Sequence, residues 1–233
     1  MPPKNENLIN FRFVEDLIYS FNGSAHLKDL KSGKYIFSNE INALNVGMNK
    51  PADLYGLTVR DLDRQMQQNW GDLAARIESF ENQLRHQYTI ILDDQQLSIL
   101  PCGDLAIHNM KKYPLLNSKN KIMAIVTLSE LVTHQFNIFQ QLEFYLTFYQ
   151  SQGKKIAIQQ FLNYLHIAIY FTELPTLAEL RILLFKSRKS TAKAIAAQLF
   201  ISPLTVETHL KRIRDKIKID INSLIEHLNN PQP

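Results

Sequence analysis

Residues 202–217 combine a helix-starting pair with hydroxyl, carboxylate and cationic side chains at regular spacing. Ser202 suits an N-cap because its hydroxyl can accept from a free amide of the first turn, and Pro203 suits the first helical position because it has no amide to leave unpaired. We therefore predict that a helix begins at Pro203. Apolar residues then recur at spacings of four, three and four, which predicts one buried stripe: Val206, Leu210, Ile213 and Ile217.

The other face of this predicted helix is polar, and its chemistry changes along its length. Glu207 and Thr208 lie in the first turns, and three cations follow: Lys211, Arg212 and Arg214. A helix in the DNA major groove reads base edges with its first turns, while neighbouring cations meet phosphates. An ordinary amphipathic surface helix has the same pattern, so this segment leaves both interpretations open.

The segment before Ser202 favours the DNA interpretation. Residues 191–199 are rich in short side chains, so a helix there can pack closely on a neighbour, and Phe200 and Ile201 break its period. A small-residue helix, a tight turn and a capped second helix together form the helix-turn-helix pattern.

Residues 176–228 resemble the LuxR/GerE-type helix-turn-helix domain, a four-helix DNA-binding module at the C-termini of bacterial transcription regulators. The resemblance rests on Thr176 and Glu179, on the run I-A-x-x-L-x-I-S-P-x-T-V-x-x-H at 195–209, and on Ile213 and Lys216. It implies that the residues just after the Thr-Val pair reach base edges: Glu207, Thr208 and Lys211. We expect phosphate contacts from the neighbouring hydroxyls and cations: Lys193, Ser202, Thr205, Arg212 and Lys216.

Four positions depart from the family pattern. Ala178 stands where an Arg is usual, and Lys189 and Lys218 stand where Gly is usual, in positions that suit a left-handed backbone. Glu207 is repelled by phosphates unless it accepts from a cytosine amino group. These departures support an alternative function, a ligand- or protein-binding adaptor whose helix-turn-helix no longer binds DNA.

Composition and charge separate the two ends of the chain. With 233 residues, of which 45% are hydrophobic, the chain is long enough for two modest cores. Residues 174–233 contain ten Lys and Arg against five Asp and Glu, whereas the rest is nearly balanced. A basic face on a small domain attracts polyanions, which indicates double-stranded DNA as the partner.

Several function classes lack support in the sequence. Cys102 is the single cysteine, which excludes an intramolecular disulfide, and polar residues interrupt the longest apolar region, 156–171. We therefore expect a cytosolic protein with no membrane partner. No metal-binding spacing and no phosphate loop occur in the sequence, so we expect neither a metal nor catalytic activity, and no cofactor is indicated.

The N-terminal part has alternating helix and strand patterns. Periodicity predicts a helix at 8–21, a hairpin at 24–30 and 34–38, short helices over 39–63, a long helix at 70–87, and strands at 88–92, 97–112 and 121–131. Asp93 and Asp94 are interpreted as neighbours in a turn that face water.

This order resembles the PAS sensor domain over residues 22–133. The matching residues include His26-Leu27-Lys28-Asp29, Gly33-Lys34-Tyr35, Gly56-Leu57-Thr58 and Tyr113-Pro114-Leu115. The resemblance implies an α+β domain, an antiparallel sheet with flanking helices, that binds a small molecule or dimerises. Candidate pocket residues are aromatic, although a filled core is the alternative for them: Tyr35, Phe37, Phe80 and Tyr88. His26, His86 and His108 are haem-ligand candidates, with a solvent-facing or hydrogen-bonded histidine as the alternative.

Residues 134–172 predict two aromatic helices between the modules. These helices either cover a neighbouring domain or form a dimer helix, and the dimer is favoured because a two-fold DNA site requires two readers at fixed spacing. The expected organisation is a PAS-like sensor (1–133), a helical connector (134–172) and an all-α four-helix helix-turn-helix domain (173–233). Together the resemblances imply a one-component, homodimeric transcription regulator.

Overall fold

A computed structural model describes residues 11–66 and 70–229 of the chain. The chain divides into two compact units, residues 1–134 and residues 135–233.

Within the described residues, the N-terminal unit combines helices with a five-stranded antiparallel sheet of order β2-β1-β5-β4-β3. Its elements are α1 (Phe11–Ser20), β1 (Ser24–Asp29), β2 (Tyr35–Ser38), α2 (Glu40–Asn45), α3 (Val59–Met66), α4 (Leu73–His86), β3 (Ile91–Ile99), β4 (Leu105–Leu116) and β5 (Ile122–Leu131). The predicted α+β class and element order are confirmed. Of the helix predicted at 8–21, positions 8–10 lie outside the described residues.

The two faces of this sheet differ in chemistry. Because successive side chains of a strand point to opposite faces, β1 and β5 present Ala25, Leu27, Ala124 and Val126 on one side, where α1 packs against them. The opposite side presents buried polar residues: Ser24, His26, Lys28, Gln96, His108, Lys112 and Thr127. The sheet therefore has one conventional core face and one buried polar face.

Helices α2, α3 and α4 lie on the side of the buried polar face. Their apolar side chains form a cluster of their own, which includes Leu54, Leu62, Trp70 and Leu73, with Trp70 only 5% exposed. The same helices supply polar partners to this face. Asn42 of α2 accepts from the Ser24 hydroxyl at 2.8 Å, Glu81 of α4 accepts from Lys28, and Arg76 of α4 donates to Asp93.

The predicted boundary between the first two of the last three strands is wrong. β3 runs unbroken over Ile91–Ile99, and the turn falls at 100–104, where Leu100 N–H donates to the Asp104 carbonyl at 2.8 Å. A bulge between Asp93 and Gln96 accommodates the two carboxylates within the strand. Asp93 is also buried rather than facing water, because its carboxylate accepts from the Arg76 guanidinium on α4.

The second unit is helical within the described residues, apart from one isolated β-bridge. Its elements are α5 (Ile138–Phe148), α6 (Lys154–Tyr164), α7 (Leu177–Ser187), α8 (Ala192–Leu199), α9 (Pro203–Lys216) and α10 (Ile221–Asn229). The two predicted connector helices are α5 and α6, and α7 to α10 form the predicted four-helix domain.

The connector packs on the four-helix domain through α5 and α7. The rings of Phe139 and Phe185 lie 4.4 Å apart between centroids, the Arg188 guanidinium covers Phe139, and Arg181 donates to Glu143 at 2.6 Å. This packing matches the interpretation in which the connector covers the neighbouring four-helix domain. The dimer-helix interpretation stays a prediction.

Asn39 ties together three parts of the N-terminal unit. Its Oδ1 accepts from Ala25 N–H and from Asn42 N–H, each at 3.0 Å, and its Nδ2 donates to the Gly23 carbonyl at 2.7 Å. The side chain therefore caps α2, holds the start of β1 and closes the preceding loop, and it is 4% exposed.

We predict that Asn39→Ala destabilises the N-terminal unit by about 2–4 kcal/mol, because two buried amides lose their acceptor. Trp70, the single tryptophan of the chain, lies in this unit, so its fluorescence during urea unfolding reports the unit directly. Asn49→Ala, at an exposed position, is the control. Equal midpoints for both variants would show that the Asn39 network contributes nothing.

Candidate nucleic-acid interface and buried cavity

Helix α9 begins and is positioned as its sequence predicts. The Ser202 hydroxyl accepts from Thr205 N–H at 3.0 Å, and Pro203 occupies the first turn. Val206, Leu210 and Ile213 are buried and face the core, and α9 packs against both α7 and α8. Ile217 ends the stripe half-buried, just beyond the helix.

The three predicted base-reading residues lie together on the exposed face of α9. Glu207, Thr208 and Lys211 are all exposed, and Glu207 and Lys211 are one turn apart. The Thr208 hydroxyl donates to the Leu204 carbonyl at 2.9 Å, which leaves its oxygen free to accept from outside. The surface thus offers an acceptor, a hydroxyl and a cation along one groove-sized helix face.

The predicted phosphate contacts fall into two groups around that face. Lys193 on α8 and Arg212 on α9 are exposed cations. Ser202 and Thr205 lie at the N-terminus of α9, where their hydroxyl oxygens are 2.8 Å apart. Helix N-termini favour anions because the first amides and the helix dipole point outward there, so both groups suit phosphate.

Lys216 has a different environment. Its ammonium donates to Glu179 Oε2 at 3.0 Å and to the Leu174 carbonyl at 3.4 Å, and only 16% of its side chain is exposed. Burial alone would raise the pKa of Glu179, but hydrogen bonds from Thr176 and Lys216 outweigh it and hold that pKa below its ordinary value. Phosphate contact by Lys216 stays a prediction, and the structure gives the ammonium an internal role.

Two apolar residues beside this face were missed by the sequence reasoning. Phe200 is 96% exposed at the end of α8, with a left-handed φ of 55°, and Leu204 is 77% exposed in the first turn of α9. The sequence does indicate that these two side chains are exposed, because Leu204 lies off the buried stripe and Phe200 follows the last turn of the small-residue helix.

The N-terminal unit contains a cavity of about 80 Å³ between the polar face of the sheet and helices α2 and α4. Its polar lining includes His26, Gln96, His108, Lys112 and Thr127, and Trp70 and Leu73 form part of the apolar wall. A period-two pattern of polar residues within predicted strands could have found this lining, since His26 with Lys28, and His108 with Lys112, recur at even spacing.

Only one of the four aromatic candidates lines this cavity among the described residues. Tyr35 lines it. Phe37 instead packs with Tyr55 at 6.4 Å between centroids, Phe80 packs beneath the Arg76 guanidinium, and Tyr88 is 62% exposed. Phe37, Phe80 and Tyr88 do not line this cavity, because Phe37 lies on the apolar face of the sheet, Phe80 on α4, and Tyr88 between α4 and β3.

The cavity histidines are held neutral. Burial lowers the pKa of His108 to about 4. Burial, with the nearby Lys112 and Lys28 ammoniums, holds the pKa of His26 well below its ordinary value, and His26 Nδ1 lies 3.2 Å from Asn42 Oδ1. His86, the third haem-ligand candidate, is exposed on α4. In the described part of the chain, no group of three or more His, Cys, Asp or Glu side chains has a geometry that could hold a metal ion.

Residues 178–225 match the family model of the bacterial regulatory proteins of the luxR family, GerE. These residues form a luxR-family domain. Its helix-turn-helix consists of α8 and α9, and we call α9, the second helix of the motif, the recognition helix. No curated protein matches the chain. Among the described residues, no helix is long and apolar enough to cross a membrane.

Solved structures of VqmA proteins and of PAS domains resemble the chain. VqmA of Vibrio cholerae with ligand and DNA is 18% identical, covers 97% of this chain and 88% of that chain, and gives a TM-score of 0.46. The phage VqmA–DPO complex is 20% identical, covers 95% and 87%, and gives 0.44. The PAS domain of Bordetella pertussis BvgS is 16% identical, covers 57% and 94%, and gives 0.46. With TM-scores below 0.5, these likenesses add no support to a function.

The luxR-family domain accommodates its two missing glycines differently. Lys189 does adopt the left-handed backbone that favours Gly, with a φ of 58°. Lys218 lies outside that region, because its N–H donates to the Tyr170 carbonyl at 2.8 Å, next to a β-bridge between Phe171 and Ile217. Only the Lys189 position carries the expected strain, about 1 kcal/mol.

We predict that Lys216→Met destabilises the luxR-family domain by about 2 kcal/mol, because Glu179 is left buried without its cation. Amide hydrogen exchange of α7 and α9 measures this, and Lys211→Met, on the exposed face, is the control. If Lys216→Met left amide exchange unchanged but made the salt dependence of DNA binding shallower, Lys216 would instead be a phosphate contact.

His108 gives the N-terminal unit a pH dependence. Its folded pKa near 4 lies below the ordinary value of 6.5, so the unfolded chain binds the proton first and stability falls as pH drops from about 6.5 to 4. We expect the wild type to lose about 2–3 kcal/mol more than His108→Leu over this range, measured by Trp70 fluorescence in urea. His86→Leu is the exposed control. Parallel curves for the wild type and His108→Leu would contradict the assignment.

Proposed function

We propose that this protein is a one-component bacterial transcription regulator, in which the PAS-like unit binds a small molecule and controls sequence-specific DNA binding by the luxR-family domain. The observation that carries the proposal is the recognition helix. Its apolar stripe is fully used in the core, its capped N-terminus is exposed, and its outer face holds Glu207, Thr208 and Lys211. We infer a binding role rather than a catalytic one, in the cytosol.

Each side chain of this face has a defined chemical task in a major groove. Lys211 donates to guanine O6 or N7, Glu207 accepts from a cytosine amino group, and the Thr208 hydroxyl oxygen accepts from a base. Lys193, Arg212 and the Ser202–Thr205 hydroxyl pair bind phosphates on either side and fix the register. Because cytosine offers the amino group that Glu207 needs, a C·G pair is expected at that position of the site.

Control by the N-terminal unit is proposed to act as a population shift. A ligand that binds one conformation more tightly raises the population of that conformation. Within the second unit, the contact of Phe139 with Phe185 and the pairing of Tyr170 with Lys218 join the connector to α7 and to the end of α9. Movement of the connector would therefore change the position of the recognition helix. A homodimer would place two such helices on a two-fold site.

A protein-binding adaptor is the second candidate, and one observation favours it. Phe200 and Leu204 expose large apolar side chains beside the recognition face, and such surfaces often contact proteins. Selection of bound duplexes from a random DNA library by the full chain separates the two. Enrichment of a two-fold motif supports the regulator, whereas no enrichment supports the adaptor.

We predict that Lys211→Ala relaxes selection at one base pair per half-site, because a good base contact contributes about 1–3 kcal/mol of discrimination. Lys193→Ala is the matched control, since loss of a phosphate contact weakens binding to all duplexes alike. The measurement is the base frequency at each position after selection. An unchanged motif and unchanged affinity for Lys211→Ala would show that α9 does not enter the groove as proposed.

A further inference from the structure

The buried polar face of the sheet holds an ammonium without a carboxylate of its own. Lys28 and Lys112 are each 1% exposed. Lys28 donates to the Glu81 carboxylate, whereas Lys112 donates to the neutral Thr127 hydroxyl at 3.1 Å. Asp93, the other carboxylate whose field reaches Lys112, accepts from Arg76. Among the described residues, no carboxylate is hydrogen-bonded to Lys112, which is an expensive arrangement for a buried charge.

Two further groups in the same lining lack hydrogen-bond partners among the described residues. They are Gln96 Nε2 and His108 Nδ1, whose residues are 6% and 7% exposed. Both line the same cavity as Lys112. A buried polar group left without a partner costs about 1–3 kcal/mol. An ammonium and an amide N–H₂ in one wall call for a ligand whose oxygen atoms accept hydrogen bonds.

The size of the cavity limits that ligand. At about 80 Å³ it is roughly half the 150 Å³ cavity that holds a benzene molecule in another protein. Trp70, Leu73 and Met110 supply apolar contacts in the same lining, so the ligand has a short carbon portion as well as an acceptor end.

We propose that the cavity binds a short-chain carboxylate of about two to four carbons, whose oxygens accept from Lys112 Nζ and Gln96 Nε2. The anion supplies the counterion that Lys112 otherwise lacks, and the carbon chain lies against the apolar wall. This inference rests on the proposed sensor role of the N-terminal unit and names the chemical class of its signal.

Titration calorimetry of the full chain, in a buffer without carboxylates, tests the proposal. The probes are acetate, propanoate and lactate, each paired with its uncharged amide. We expect each bound acid to bind at least about tenfold more tightly than its amide, because hydrogen bonds to charged groups are the stronger ones. Equal affinity of acids and amides, or no binding of any probe, would overturn the proposal.

Matched variants locate the site. Lys112→Met retains the aliphatic stem and should weaken acid binding at least about tenfold. Lys111→Met, which changes the exposed residue just before Lys112 on β4, should leave acid binding unchanged. Gln96→Leu should weaken the acid severalfold, and Trp70 emission verifies that each variant is folded. Retained affinity in both Lys112→Met and Gln96→Leu would contradict the assignment.

The two proposals fail separately. A chain that selects a DNA motif but binds no acid refutes the ligand class and leaves the DNA role intact. A chain that binds acids through Lys112 but selects no duplex supports the ligand class and refutes the DNA role.

Discussion

The hydrogen-bonded ion pair between Lys216 and Glu179 sets the position of the recognition helix. Glu179 also closes the capping box of α7, since its carboxylate accepts from Thr176 N–H at 2.8 Å. One buried carboxylate thus joins the start of α7 to the end of α9. The pairing of Thr172 N–H with the Lys216 carbonyl, at 2.8 Å, binds that same end to the connector. The N-terminal half of α9 is left with its outer face exposed, where base contacts are proposed.

The two units treat buried charge in opposite ways. In the luxR-family domain, Glu179 accepts from both a cation and a backbone N–H, and these bonds offset the cost of burying its charge. In the N-terminal unit, burial lowers the pKa of Lys112 to about 8, and Gln96 Nε2 and His108 Nδ1 lack hydrogen-bond partners among the described residues. Such an arrangement costs stability in the isolated protein, and proteins retain such costs where function requires them. The first arrangement holds a surface in place, and the second is where we propose a ligand site.

Local rules predicted the helices well because caps and periodicity are read within a few residues. Ser202, Thr176 and the stripe of α9 behave as their types require. The sheet was harder, because adjacent carboxylates at Asp93 and Asp94 have the composition of a turn although a bulge carries them within β3. The phosphate contact predicted for Lys216 takes no account of its buried partner. Its partner Glu179 is 37 residues away, and no local pattern reveals that pairing.

The cavity shows the same limit of local sequence patterns. Aromatic type predicts Phe37, Phe80 and Tyr88 as pocket residues, but these side chains pack elsewhere or face solvent. The polar part of the lining comes from residues that alternate along strands. Alternation was visible in the sequence, but whether a polar face is covered depends on where α2 to α4 pack. Helix packing of this kind depends on tertiary contacts, which no local sequence pattern contains.

The most direct test of the central claim is the salt dependence of DNA binding by the full chain, measured on the duplex selected from the library and on a scrambled duplex. A helix that binds in the major groove between phosphate-binding cations should lose affinity steeply with salt on both duplexes. We expect a plot of log K against log salt concentration to have a negative slope of several units. The selected duplex should stay tighter at every concentration. A flat dependence, or identical curves for the two duplexes, would contradict sequence-specific DNA binding through α9.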